Sequence, residues 1–193
     1  MNISKLSNLI WENSTEIPFG NSVAWEEDVF LKPWFETNNL MSAYEGSSPG
    51  WYWFICNMSY QEIHNSQRPN SLPTSGCDFG LTAHENIETF GENRLCANDT
   101  SGAVVYNGHE GNVIGRIRTH YNLNNGRTGA LGIKHYPLSS YIWKAMVFTT
   151  NHISSIPQQE QADVQRLIGN KTGRCAVESA WRTNHGWPVL CKQ

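Results

Sequence analysis

An α/β (α+β) fold, a small three-stranded antiparallel sheet flanked by helices, is predicted by two features of the sequence. Short runs of aromatic and β-branched residues stand at 50–56, 102–108 and 141–150. Longer stretches with apolar residues at helical spacing, bounded by start and stop signals, follow the last two runs.

The elements follow in chain order. Residues 1–49 form an N-terminal extension with a weakly amphipathic start (Ile3, Leu6, Leu9, Ile10, Trp11) and a polar, acidic middle. SSPG (47–50) is a turn signal, and GWYWFIC (50–56) reads as a buried strand. Residues 57–101, rich in Asn, Ser, Gly and Pro, are too long for a simple connection and read as an insertion with some order of its own. GAVVYNG (102–108) is a second strand ending in a Gly turn. NVIGRIRTHY (112–121) is a helix, with Asn112 as N-cap and Val113, Ile114, Ile117 and Tyr121 on its apolar face. NLNNGRTGALG (122–132) is a flexible, basic-tipped loop, and YIWKAMVFTT (141–150) is the third strand. Pro157 opens a helix that stops at Gly169, and a last helix over 173–186 ends at Gly186.

A chain of 193 residues fits one domain on a prior of roughly 100–200 residues per domain, here spanning 1–193. The formal net charge of −3 excludes a broad basic footprint, so any grip on nucleic acid must be local. The five cysteines (Cys56, Cys77, Cys96, Cys175, Cys191) include no C-x-x-C pair, which gives neither a disulfide framework nor a zinc signature. The N-terminus lacks the pattern of a signal peptide, and no stretch is long enough to span a membrane. A cytoplasmic setting is the expectation.

The helix over 112–121 carries the chemistry. Arg116 and His120 are four apart and share one helix face. Arginine offers a permanent charge and a fork of donors that fits phosphate oxygens, and histidine donates, accepts or carries a proton near neutral pH. Tyr106-Asn107-Gly108 precedes Arg116 by ten residues and His120 by fourteen, counted from Tyr106, and an upstream strand opens Gly50-Trp51-Tyr52.

Over roughly 50–191 this pattern resembles the GIY-YIG nuclease superfamily: a Gly-x-Tyr strand, a Tyr-x-Gly strand, a helix bearing Arg and His, and a later helix bearing Glu. The resemblance implies a metal-dependent endonuclease of restriction or phage type that hydrolyses phosphodiester bonds in DNA. It implies that Tyr52 activates water and that Tyr106 holds the water or phosphate. Arg116 then stabilises charge on the phosphate, His120 orients a tyrosine or the phosphate, and a helix glutamate binds Mg²⁺ (or Mn²⁺). Glu178 is the candidate metal ligand, with Glu160 and Asp163 as rivals. A tyrosine with a pKa near ~10 is a poor base at neutral pH, and cationic neighbours would lower that value.

The sequence departs from the family pattern in three places. Tyr52 and Tyr106 are 54 residues apart, Asn107 replaces an apolar residue, and Cys191 stands where many members carry an asparagine, a contact that is either missing or supplied by Asn184. Arg118, Arg127 and Lys134 are expected to touch the DNA backbone. His84-Glu85 and His109-Glu110 read as loop residues. A homodimer is expected for cutting both strands. The alternatives are a non-catalytic DNA-binding or regulatory protein on a decayed scaffold, and a ribonuclease.

Overall fold

A computed structural model describes residues 2–19, 28–98, 102–123, 129–136 and 141–192. Among these, strands β1 (Thr15–Phe19), β2 (Gly50–Cys56), β3 (Ala103–Glu110) and β4 (Trp143–Thr149) form one antiparallel sheet in the order β1-β4-β2-β3. The sheet therefore has four strands where the sequence pattern gave three. The extra strand comes from the N-terminal segment. It pairs with β4, turns Ile17 and Phe19 inward, and carries Pro18, which a sheet tolerates at an edge where no ladder donor is needed.

β2 lies between β3 and β4, which is why all but one of its residues are buried. Alternation along the strand sends its side chains to two different cores. Tyr52 and Phe54 enter one with Val105, Ile117, Tyr121 and Trp143, and Trp51 and Trp53 enter the other with Phe148, Val164, Val177 and Trp181. Burying each such large side chain contributes about 1.5–3 kcal/mol, so the central strand anchors both faces. Gly50 is required at its start, because a Cβ there would meet the carbonyl oxygen of Phe148 at 2.0 Å.

Helix α1 (Ile3–Glu12) packs on the second core, with Trp11 edge-on to Trp53 (5.1 Å) and Trp181 (5.6 Å). The short helix α2 (Lys32–Thr37) starts at a proline-containing first turn and buries Trp34 and Phe35. The insertion holds α3 (Tyr60–His64), closed by a Ser59–Glu62 capping box, and α4 (Phe79–Phe90), capped by Asp78. His84-Glu85 thus lies on a helix instead of a loop. The Asn86 amide donates to the carbonyls of Val189 and Cys191, both at 2.9 Å, which ties the insertion to the C-terminal tail.

Helix α5 (Val113–Asn122) starts at the Asn112 cap and buries Val113, Ile114, Ile117 and Tyr121 as its periodicity predicts. Helices α6 (Gln158–Ile168) and α7 (Lys171–His185) cover the face opposite α5. Among the described residues no helix is long and apolar enough to cross a membrane.

Candidate active site

The site forms at β3, an outer strand of the sheet, where α5 and α7 come together from opposite faces. Register fixes the first contacts. Tyr52 pairs across with Gly108 and Phe54 with Tyr106, so these residues share the α5 face. Gly108 is needed there, since a Cβ would meet the Tyr52 hydroxyl oxygen at 2.5 Å. The ring of Tyr106 stacks on that of Tyr52 at 6.2 Å.

From α5, His120 places Nε2 2.8 Å from the Tyr52 hydroxyl. The backbone N–H of Leu131 donates to His120 Nδ1 at 3.2 Å. Nδ1 therefore carries no proton, and the neutral ring donates from Nε2 to Tyr52. Burial, then the charge of Arg116, holds the His120 pKa well below its ordinary range and keeps the ring neutral. Arg116, one turn earlier, donates from Nη2 to the carbonyl of Gly129 at 3.2 Å, and its charge acts on Tyr52. Burial pushes the Tyr52 phenol well above its ordinary pKa, with Tyr106 adding to the rise and Arg116 opposing it. Burial raises Tyr106 too.

The other β3 face turns Asn107 and His109 toward α7. Glu178 accepts from His109 Nδ1 at 2.6 Å and from Arg182 Nη2 at 2.5 Å. Arg182 is itself fixed by Asn107 Oδ1 at 2.8 Å and lies 4.5 Å over the Trp187 ring. His109-Glu110 is thus part of β3, not a loop, and His109 is a direct partner of the candidate metal ligand. Asn107, a polar residue inside the strand, is the buried acceptor for Arg182. Cys191 sits against the same asparagine, its Sγ accepting from the Asn107 N–H at 3.3 Å, and burial pushes its thiol pKa up to about 12.

Tyr52, Tyr106, Arg116 and Glu178 line one cleft of about 370 Å³, together with Gly108, His109, Glu110, Lys171 and Arg174. A second hollow of about 290 Å³ adjoins it through Tyr106, Arg116 and Glu178 and is bounded by Arg182, Cys191 and Lys192. His120 stands behind the first cleft, fully buried.

Other expected residues fall elsewhere. Arg118 is half-buried and two positions from Arg116, so it leaves the shared face. Lys134 belongs to a 3-10 turn (Ile133–His135), and neither it nor Arg118 lines either hollow. Arg127 lies outside the described residues. Glu160 and Asp163 are on α6 and line neither hollow, and Asp163 bonds Arg166 at 3.2 Å. The Asn184 amide donates to the Ser4 carbonyl (2.9 Å) and to Asn8 (2.8 Å), which commits it to the α1–α7 contact. Sequence spacing missed Lys171, Arg174, Arg182 and His109. Only Arg182, four residues after Glu178, carries a local signal, the i,i+4 pairing.

Among the described residues no cluster of three or more His, Cys, Asp or Glu side chains is arranged around a metal position. A hard cation that keeps most of its waters needs less, and one carboxylate can hold it. Glu178 fits that requirement. It faces the cleft, and each oxygen accepts one hydrogen bond, which leaves free lone pairs on both. In comparisons with protein-family models, curated proteins and solved structures, the chain matches none.

Proposed function

We propose that this chain is a metal-dependent endonuclease of the GIY-YIG type that hydrolyses phosphodiester bonds in DNA. One observation carries the reading: a tyrosine that accepts a hydrogen bond from a buried neutral histidine stands at one cleft with an arginine and a helix glutamate. The His120 donor and the charge of Arg116 favour the Tyr52 phenolate, the form that takes a proton from water. Arg116, at the same cleft, neutralises charge that builds on the phosphate. Tyr106 holds the water or a phosphate oxygen by its hydroxyl. His120 keeps Tyr52 in place, and its fixed tautomer prevents it from competing for the proton.

Glu178 would hold a Mg²⁺ or Mn²⁺ ion, and the positive charge so supplied would favour ionisation of a buried phenol or a water at neutral pH. His109 and Arg182 fix the carboxylate's orientation for that purpose. Because each chain carries one such cleft, cutting both strands of a duplex calls for two copies or two binding events.

The clasp of His109 and Arg182 on Glu178 also favours a second reading, a non-catalytic DNA-binding protein on the same scaffold. Plasmid nicking with and without Mg²⁺, in wild type, Arg116→Ala and Glu178→Ala, separates the two, and parallel RNA substrates test for a ribonuclease. Metal-dependent nicking by wild type alone is the expected result. No metal-dependent cleavage of any nucleic acid by wild type sinks the enzyme reading. Gel filtration with and without DNA tests the dimer.

A further inference from the structure

Among the described residues Arg174 is a buried cation with no anion paired to it. The residue is 9% exposed, and among the described residues its guanidinium makes one hydrogen bond, from Nη1 to the Ile168 carbonyl at 2.7 Å. Its Nε is buried with no partner among the described residues. The carboxylate one turn along α7, Glu178, bonds His109 and Arg182 instead. An uncompensated buried charge is costly, and arginine is seldom buried unless paired. Yet this guanidinium lines the cleft that holds Tyr52, Arg116 and Glu178.

Lys171, exposed and three residues earlier, lines the same wall and shares the helix face. Both belong to the first turn and a half of a 15-residue helix, where the backbone dipole favours an anion. The position is rigid. The Trp51 indole N–H donates to the Arg174 carbonyl at 2.9 Å, which pins this turn to β2 beside Tyr52. The cleft, about 370 Å³, has room for more than one reacting group, since small-ligand sites start at about 300 Å³. The chain as a whole is acidic, so these cations are not part of a general basic surface.

We propose that Lys171 and Arg174 form a second phosphate subsite, which takes the phosphate next to the scissile one on the same strand. The subsite rests on the nuclease reading and adds to it the path of the substrate: the strand runs from Arg116 over the N-terminal end of α7. The missing anion of Arg174 is then the substrate's own phosphate, so part of the binding energy is stored in a site kept ready for it.

The test is a methylphosphonate scan, in which single phosphates of a duplex oligonucleotide are made neutral and binding is followed by fluorescence anisotropy. Wild type is expected to lose about tenfold in affinity at one position beside the cut, the size of one charge-assisted hydrogen bond. Lys171→Ala, an exposed change that leaves the fold intact, is expected to lose that position's effect and to show a salt slope shallower by about 1. Lys171→Arg is expected to restore both. Arg174→Lys, checked for folding by thermal denaturation, should weaken the same position. Scans that are identical for wild type and Lys171→Ala, with cleavage intact, overturn the subsite alone. A wild type that neither binds nor cuts nucleic acid overturns the nuclease reading and the subsite together.

Discussion

His120 donates from Nε2 to the Tyr52 hydroxyl at 2.8 Å because the Leu131 N–H has already taken Nδ1. The tautomer is set by the backbone, and the tyrosine is set by the tautomer. Tyr52→Phe removes the acceptor and leaves a buried N–H unmatched, which costs about 1–3 kcal/mol. If the phenol activates water, cleavage should fall about 10²–10⁴-fold, while DNA affinity stays within a few-fold. Single-turnover cleavage alongside a binding titration checks this. A Tyr52→Phe protein that cuts like wild type removes Tyr52 from the chemistry.

Gly108 leaves the space that the Tyr52 hydroxyl occupies, since a Cβ would stand 2.5 Å from it. Gly108→Ala must push Tyr52 off His120 or move β3. Crowding of this kind costs about 1–3 kcal/mol. The expected outcome is a folded protein with a lowered Tm and cleavage reduced at least as far as in Tyr52→Phe. Gly50→Ala acts differently, because its Cβ would meet a backbone oxygen at 2.0 Å instead of a side chain. It should unfold the protein or prevent its expression, and circular dichroism distinguishes the two variants.

Much of this site is legible in the sequence, for reasons that are local. Arg116 and His120 are brought together by helix periodicity, and the Tyr106–Gly108 strand end lies close ahead of that helix in the chain. Tyr52 reaches them across a long insertion because β2 and β3 pair directly, a non-local fact that spacing alone does not give. β1 escapes pattern reading because TEIPF is short and interrupted by Pro18, and only its edge position makes it a strand. His109 escapes for a related reason. Its role depends on which face of β3 meets α7, and that is decided by tertiary packing.

Acid should destabilise the protein from about pH 6.5 downward. Burial lowers the pKa of His120, and it also lowers those of His135, His152 and His185. In the unfolded chain these groups titrate near 6.5. Above that pH both states are neutral and the histidines do not alter stability. Below it the unfolded state takes up protons first, so stability falls as pH falls, by at most about 1.4 kcal/mol per pH unit for each fully differential group. Urea denaturation at a series of pH values measures the slope. His120→Gln should make it shallower between pH 6.5 and 5, and an unchanged slope would show that His120 is not held neutral.

Asn107 is the last link behind the carboxylate. It holds Arg182 Nε at 2.8 Å, and Arg182 in turn holds Glu178. Asn107→Leu replaces a polar strand residue by an apolar one and removes a buried acceptor, at about 1–3 kcal/mol. Groups that orient a metal ligand typically change metal affinity or activity about 10–100-fold when lost. Asn107→Leu should therefore require more Mg²⁺ for half-maximal cleavage, with DNA affinity measured without metal unchanged. Asn107→Asp keeps an acceptor for Arg182 and should restore most of the metal response. A Mg²⁺ titration of all three proteins decides the matter. If Asn107→Leu follows the wild-type curve, Arg182 does not position Glu178 for a cation, and the clasp is a packing contact only.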